Sequence, residues 1–120
     1  MRPIKFLLWD TKQECFVNEP YHAISLLGTI QIEGHTSVEP KRYIPLQFTG
    51  LVDKKGKDIY EGFICTYTRG RKCVVFYDRG AFWFVTTGNL PKHFFKTYNA
   101  HKWEIIGNIY ETPDLIKTGT

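Results

Sequence analysis

The residue types that most often do chemistry in proteins are scattered in this sequence, and their spacing indicates no catalytic set. The four histidines lie far apart along the chain: His22, His35, His93 and His101. None of them has the spacing of a metal-binding motif. His35 with Glu33 and Glu39 could bind a metal ion, although a solvated loop is the simpler interpretation of these residues. We therefore expect no metal and no cofactor.

The three cysteines also argue against covalent chemistry. Cys15, Cys65 and Cys73 are odd in number and have no closely spaced partner, whereas a disulfide framework or a zinc knuckle needs tight pairs. Cys65 and Cys73 lie on consecutive predicted strands and could face each other, but we expect all three to be reduced thiols of the core. Cys65 or Cys73 could pair with His101 as nucleophile and base, but no local motif supports this. The sequence therefore predicts that the protein is not an enzyme.

Basic turns beside aromatic strands form the pattern that points most directly to a ligand. Four cations, Arg69, Arg71, Lys72 and Arg79, lie next to six aromatic residues, Tyr67, Phe76, Tyr77, Phe82, Trp83 and Phe84. Small barrels bind single-stranded nucleic acid by stacking bases on aromatic side chains inside a positively charged groove. The same pattern suits a barrel core with a soluble surface, because alternation along a strand turns half of the rings inward. Nucleic-acid binding is therefore an alternative prediction.

Composition describes one soluble, strand-rich domain. The chain has 120 residues and a formal net charge of +4, with 42% hydrophobic and 16% aromatic residues. Aromatic and β-branched residues favour strands, and this length is enough for one domain with its own core. No segment reaches the roughly 18 apolar residues of a membrane span, and the N-terminus lacks the apolar run of a signal peptide. We expect a cytoplasmic protein that does not bind membranes.

Strands and glycine-centred turns must position these residues. Turn signals at residues 53–56, 61–62, 69–70 and 78–80 separate short apolar runs of even spacing. This pattern predicts a mainly β fold, with a small antiparallel SH3-like barrel over residues 46–85 that residues 4–10 and 103–109 complete or cover. We expect a single domain, with an N-terminal lobe or extension at residues 1–45 and the barrel, C-terminal strand and turn at residues 46–116.

Less regular segments carry weaker predictions. Residues 34–45 are rich in turn formers and predict a loop, and residues 23–27 fit either a strand or a short helix. Asn89 is expected to cap a short helical turn that contains Leu90, Phe94 and Phe95 and could extend to Tyr98. Residues 112–115 predict a second helical turn near the C-terminus, with Thr112 as its N-cap. Residues 105–106 are expected to be buried on both faces of the last strand.

Three blocks of the sequence, within residues 4–10, 47–62 and 106–113, resemble the YopX family, small proteins carried by bacteriophages and prophages. The residues that carry the resemblance are Trp9, Phe48, Gly50, Leu51, Asp53, Gly56, Tyr60, Glu61, Gly62, Gly107, Asn108, Tyr110 and Pro113. Family members usually have an acidic residue after the equivalent of Gly62, where this chain has Phe63. The resemblance implies an N-terminal α+β portion, an SH3-like barrel and self-association. It implies no agreed activity and no active site.

Protein–protein contact is the function that we expect first. The chain has nine Phe, three Trp and seven Tyr residues, which is a large aromatic load for so small a core. Phe82, Trp83 and Phe84 are consecutive on one predicted strand and cannot all point inward. Exposed rings favour an interface, first with another copy of the chain, and a host protein is a further candidate. The expected function is that of a non-enzymatic accessory phage protein that acts by binding.

Overall fold

In the computed structural model, short β-strands are the main regular elements of the chain. The structure describes residues 4–17, 23–24, 30–32, 35–36, 41–67, 71–87 and 93–116. The strands form antiparallel sheets, one of which curls into a half-barrel, so the predicted mainly β fold is confirmed. None of the helices in these ranges is long and apolar enough to cross a membrane.

The strands belong to two compact units, one of residues 1–6 with 46–120 and one of residues 7–45. The strands are β1 (Phe6–Asp10), β2 (Cys15–Phe16), β3 (Ala23–Ile24), β4 (Ile30–Ile32), β5 (His35–Thr36), β6 (Tyr43–Val52), β7 (Asp58–Tyr60), β8 (Phe63–Thr66), β9 (Lys72–Asp78), β10 (Ala81–Thr86), β11 (Phe94–Lys96) and β12 (Glu104–Asn108). Two 3-10 helices follow β11 and β12, at Ala100–Lys102 and Pro113–Ile116. The prediction of a single domain stays a prediction.

The unit of residues 7–45 contains more strand than its sequence predicted. Strands β3, β4 and β5 form an antiparallel sheet, and β1 pairs with β2. The predicted loop at residues 34–45 was wrong, because it contains β5 and the start of β6. Pairing with β4 supplies partners for the backbone of β5, and such pairing outweighs local composition in short strands. Asp10 is buried, and Arg42 donates to both of its carboxylate oxygens, at 3.0 and 2.9 Å.

The larger unit is organised by a five-stranded sheet with the strand order β11-β10-β9-β8-β12. The turns predicted at Gly56 and Gly80 are confirmed, with φ values of +78° and +82° that glycine tolerates best, whereas the turn predicted at Gly70 lies outside the described residues. Alternation turns one face of the sheet toward a core. That core consists of Ile59, Cys65, Cys73, Val75, Phe84, Ala100 and Trp103.

The C-terminal part corrects several predictions. Phe94 and Phe95 lie in strand β11 and pair with β10, so the expected helical turn there was wrong; Asn89 and Leu90 lie outside the described residues. Ile106 is exposed, because the register of β12 shifts at a bulge next to it. The predicted terminal turn exists as the 3-10 helix at Pro113–Ile116.

Candidate functional site

Asp53, in the motif that resembles a family signature, is a structural acceptor. Its buried carboxylate accepts backbone N–H groups from Lys55 and Lys57 at 2.9 Å each, and from Ile105 at 3.0 Å. Burial alone would raise the pKa of Asp53, but these three donors and the Lys57 charge together lower it below its ordinary value. The carboxylate therefore ties the β6–β7 turn to strand β12.

Asn108 plays the corresponding part at the C-terminal motif. Its side-chain oxygen accepts the backbone N–H groups of Tyr110 and Glu111 at 3.0 and 2.8 Å. The Thr112 hydroxyl donates to the Asn108 carbonyl at 2.9 Å and accepts its N–H at 3.0 Å, so this hydroxyl is not the helix cap that the sequence predicted. A Cβ on Gly107 would overlap that hydroxyl and come within 2.8 Å of Leu115. The motif closes a tight turn.

Gly62 and the neighbouring rings are structural as well. Gly62 has φ +84°, and a Cβ there would lie 3.1 Å from the Tyr110 ring. The Tyr60 ring packs against Phe48 and Phe63, each at a centroid distance of 5.5 Å. Phe63 thus makes an apolar contact where the sequence resemblance implies a carboxylate. We call Asp53, Gly62, Gly107 and Asn108 the turn residues.

Two of the cysteines are inert core residues. Cys65 and Cys73 are opposite each other on β8 and β9, and both are free and fully buried. Burial raises the pKa of Cys65 to about 12 and that of Cys73 to about 11, which keeps both thiols protonated. Cys15 is exposed, so its predicted place in the core was wrong. Across the described ranges, no group of three or more His, Cys, Asp or Glu residues could hold a metal ion.

The predicted interface strand divides its rings between two faces. Phe84 is fully buried, so it is not available to an interface, and this part of the prediction was wrong. It stacks on Trp103 at a centroid distance of 4.0 Å. Phe82 and Trp83 are half-buried, and the Trp83 indole N–H donates to the Asp78 carbonyl at 2.9 Å.

The exposed rings of the sheet come from neighbouring strands. Phe76 is 52% exposed and is the cross-strand partner of Trp83. Phe94 is 38% exposed and meets the Trp83 ring edge-on at 6.0 Å. We call Phe76, Trp83 and Phe94 the outer aromatic face.

The cations that the sequence assigned to nucleic-acid binding have different surroundings in the structure. Arg79 pairs with Asp78 at 2.9 Å and lies over the Phe94 ring. Lys72 is half-buried on β9. Arg69 lies outside the described residues. Arg71 is exposed, with its guanidinium 5.9 Å from the centroid of the Phe95 ring, and it lines a pocket.

That pocket has a volume of about 470 Å³, within the range of small-molecule sites. Its lining residues are Tyr67, Arg71, Phe95, Lys96, Tyr98, Asn99 and Trp103. They lie next to the ends of β8 and β9, in β11, and on either side of the 3-10 helix that precedes β12. Four of the seven are aromatic, two are cations, and none is acidic.

Aromatic stacking holds the floor of the pocket. Trp103 is 3% exposed, and its ring stacks on Phe84 at 4.0 Å and on Tyr67 at 5.3 Å. Phe95 contacts the same indole at 6.3 Å. Tyr98 is 80% exposed and has no ring contact with any described residue, so its surface is open to a ligand.

The pocket has a positive rim. Arg71 and Lys96 are both exposed, and neither forms a salt bridge with a carboxylate in the described part of the chain. By contrast, Lys54 and Lys55 of the β6–β7 turn share the Glu104 carboxylate, at 3.3 and 2.8 Å. The charge at the rim is therefore available to an anion.

Sequence reasoning found Arg71 and Tyr67 but missed Lys96, Tyr98 and Asn99. The predicted helical turn, which could extend to Tyr98, placed Lys96 and Tyr98 on another kind of element, and Asn99 was assigned to no element. The run of Phe94, Phe95, Lys96 and Tyr98 lacks the apolar–polar alternation of a strand, because its two phenylalanines are adjacent.

Comparison with known proteins places the chain in a family. A family model described as YopX protein matches residues 5–117, so the chain belongs to the YopX family, and the resemblance seen in the sequence is confirmed. Among solved structures, the chain is similar to protein EF1440 from Enterococcus faecalis. The identity is 26% and the TM-score 0.64, over 97% of this chain and 99% of that chain. A search of curated proteins finds no match.

Proposed function

We propose that this protein is a non-enzymatic binding module for single-stranded nucleic acid, with one unpaired nucleotide held in the pocket. The observation that carries the proposal is the composition of that pocket: aromatic rings and two cations, with no acidic residue among the described residues that line it. Stacking platforms combined with positive charge are the means by which proteins hold single strands.

Each part of a nucleotide has a counterpart in the pocket. A base can stack on the open ring of Tyr98, and burying that ring removes apolar surface from water. The flanking phosphates can contact Arg71 and Lys96, whose charges no described carboxylate neutralises. A flexible single strand can bring a base and its phosphates to these groups together, whereas a duplex keeps its bases stacked inside.

The salt dependence of binding tests the proposal. A fluorescently labelled strand of about eight nucleotides would be titrated with the protein at about 50 mM and about 200 mM salt, and binding followed by anisotropy. Arg71→Gln combined with Lys96→Gln should lower the affinity and reduce the slope of log K against log salt by about 1.4, because two phosphate contacts are lost.

A matched control separates the pocket from net charge. Lys41→Gln combined with Lys57→Gln removes the same two charges from exposed residues that do not line the pocket. This variant should keep the wild-type slope. Absence of binding at low salt, or an equal loss in both double variants, would contradict the proposal.

Protein contact is the second candidate, and the outer aromatic face favours it. Phe76, Trp83 and Phe94 place apolar rings side by side on one face of the sheet, and two of them are well exposed. A second copy is the partner that we propose, because a two-fold contact covers the same rings on both copies. Light scattering should give a mass above the 14.0 kDa of one chain, and Phe76→Ser should return it to that of a monomer. A wild-type monomer at high concentration would remove this candidate.

The cellular setting also stays a proposal. Phage origin and a host protein as partner rest on the sequence resemblance, and a cytoplasmic location rests on the composition of the chain and its N-terminus. Capture from a host lysate with and without nuclease treatment distinguishes a nucleic-acid ligand from a protein partner. Nuclease should release the bound material if nucleic acid is the ligand.

A further inference from the structure

One amide in the pocket has an orientation that its neighbour fixes. The Trp103 indole N–H lies 3.2 Å from the side-chain oxygen of Asn99. An indole nitrogen can only donate a hydrogen bond, so the oxygen of the amide, not its nitrogen, must face Trp103. Trp103 cannot easily turn away, because Phe84 and Tyr67 stack on its ring.

The other branch of this amide is an unused donor. Asn99 lines the pocket, and its side-chain Nδ2 donates to no acceptor in the described part of the chain. The backbone carbonyl of Asn99 is already occupied, since it accepts the N–H of Lys102 at 2.9 Å. Arg71 and Lys96 can likewise only donate. The Asn99 amide nitrogen and the two cations therefore offer the pocket donors alone, and they favour a ligand that presents acceptors.

We propose, on the basis of the nucleic-acid function above, that Asn99 selects nucleotides whose base carries a keto oxygen at pyrimidine C4 or purine C6, namely thymine, uracil or guanine. The Asn99 amide donates to that oxygen. Cytosine and adenine present an amino group at the corresponding edge, so two donors would face each other and both would lose their hydrogen bonds to water. Trp103 acts as a positioning residue, because its indole holds the amide in the donating orientation.

Thymine and cytosine provide a matched pair of ligands. Both are pyrimidines, but thymine has an acceptor at O4 where cytosine has an amino donor. Oligothymidylate and oligocytidylate of equal length would be titrated with the wild type, and we expect about fivefold to tenfold tighter binding of the thymine strand. Oligodeoxyuridylate serves as a control for the methyl group and should share the preference.

Variants of Asn99 test the assignment. Asn99→Asp keeps an oxygen for the Trp103 indole and turns the other branch into an acceptor, so it should reverse the preference in favour of cytosine. Asn99→Leu removes the donor and should bring the thymine-to-cytosine affinity ratio close to one. Lys96→Gln should weaken both strands equally and leave the ratio unchanged, because the lysine contacts the phosphates.

The outcomes separate this inference from the proposed function. If both strands bind with a ratio that Asn99→Asp does not change, the role of Asn99 is overturned and the nucleic-acid function stands. If the wild type binds neither strand at low salt, both are overturned. If the ratio reverses in Asn99→Asp while circular dichroism shows a wild-type fold, the inference is supported.

Discussion

The turn residues and the pocket use their polar groups in opposite ways. Asp53 and Asn108 accept five backbone N–H groups between them, so their side chains are engaged within the chain itself. In the pocket, Arg71, Lys96 and the Asn99 amide nitrogen have no acceptor among the described residues. The residues that make this chain recognisable as a YopX protein thus build its turns. The groups available to a ligand are at other positions.

The largest effect that we expect from this difference is on stability at Asp53. Asp53→Ala leaves three backbone N–H groups without their acceptor and should lower the free energy of unfolding by about 3 kcal/mol. Asp58→Ala is the matched control on the same hairpin, because its carboxylate makes an exposed ion pair with Lys5. The control should cost less than about 1 kcal/mol. Equal urea midpoints for the two variants would mean that Asp53 is not the anchor of the turn.

In the unit of residues 7–45, acid should remove a contribution of similar size to the free energy of unfolding. The Arg42 guanidinium, with the N–H groups of Gln13 and Lys12, lowers the pKa of Asp10 to about 2 against the opposing effect of burial. Because the pKa is lowered in the folded state, this stability is present above about pH 4 and is lost as the pH falls toward 2, by about 2 kcal/mol. Asp10→Asn should therefore lose less stability than wild type across this range. Parallel pH profiles in urea unfolding would contradict the assignment.

Two glycines separate backbone strain from crowding. Gly62 and Gly56 both have positive φ values, but an added Cβ meets the Tyr110 ring at Gly62 and open space at Gly56. Gly56→Ala should lower the free energy of unfolding by about 1 kcal/mol through backbone strain alone. Gly62→Ala should lower it by about 2 kcal/mol, because the Tyr110 ring must also move. Chemical denaturation measures both values. If Gly56→Ala costs as much as Gly62→Ala, crowding by Tyr110 contributes nothing.

Substitution of the pocket cations should hardly change the free energy of unfolding. Arg71 and Lys96 are exposed, and the structure gives them no ion pair to lose in the described part of the chain. Arg71→Gln and Lys96→Gln should each change the free energy of unfolding by less than about 0.5 kcal/mol. A loss comparable to that of Asp53→Ala would show that these cations serve the fold rather than a ligand.

The sequence predicted the turns better than it predicted the pocket, and the reason is local. Gly56 and Gly80 could be placed because their turns need positive φ, which is a property of a few consecutive residues. Strand β11 was missed because pairing with β10 defines this three-residue edge strand, as in the register of Phe95 with Phe84. Lys96, Tyr98 and Asn99 depend on where that strand lies. No local signal could therefore assemble the pocket.

Tyr98 provides the most direct test of the central claim, that the pocket binds a ligand and the motif holds the fold. This ring is 80% exposed and has no ring contact with the described residues, so Tyr98→Ala should leave the free energy of unfolding unchanged. The account predicts that the same variant binds a single strand about tenfold more weakly in an anisotropy titration, because one base loses its stacking partner. Wild-type affinity in a fully folded Tyr98→Ala protein would contradict the account.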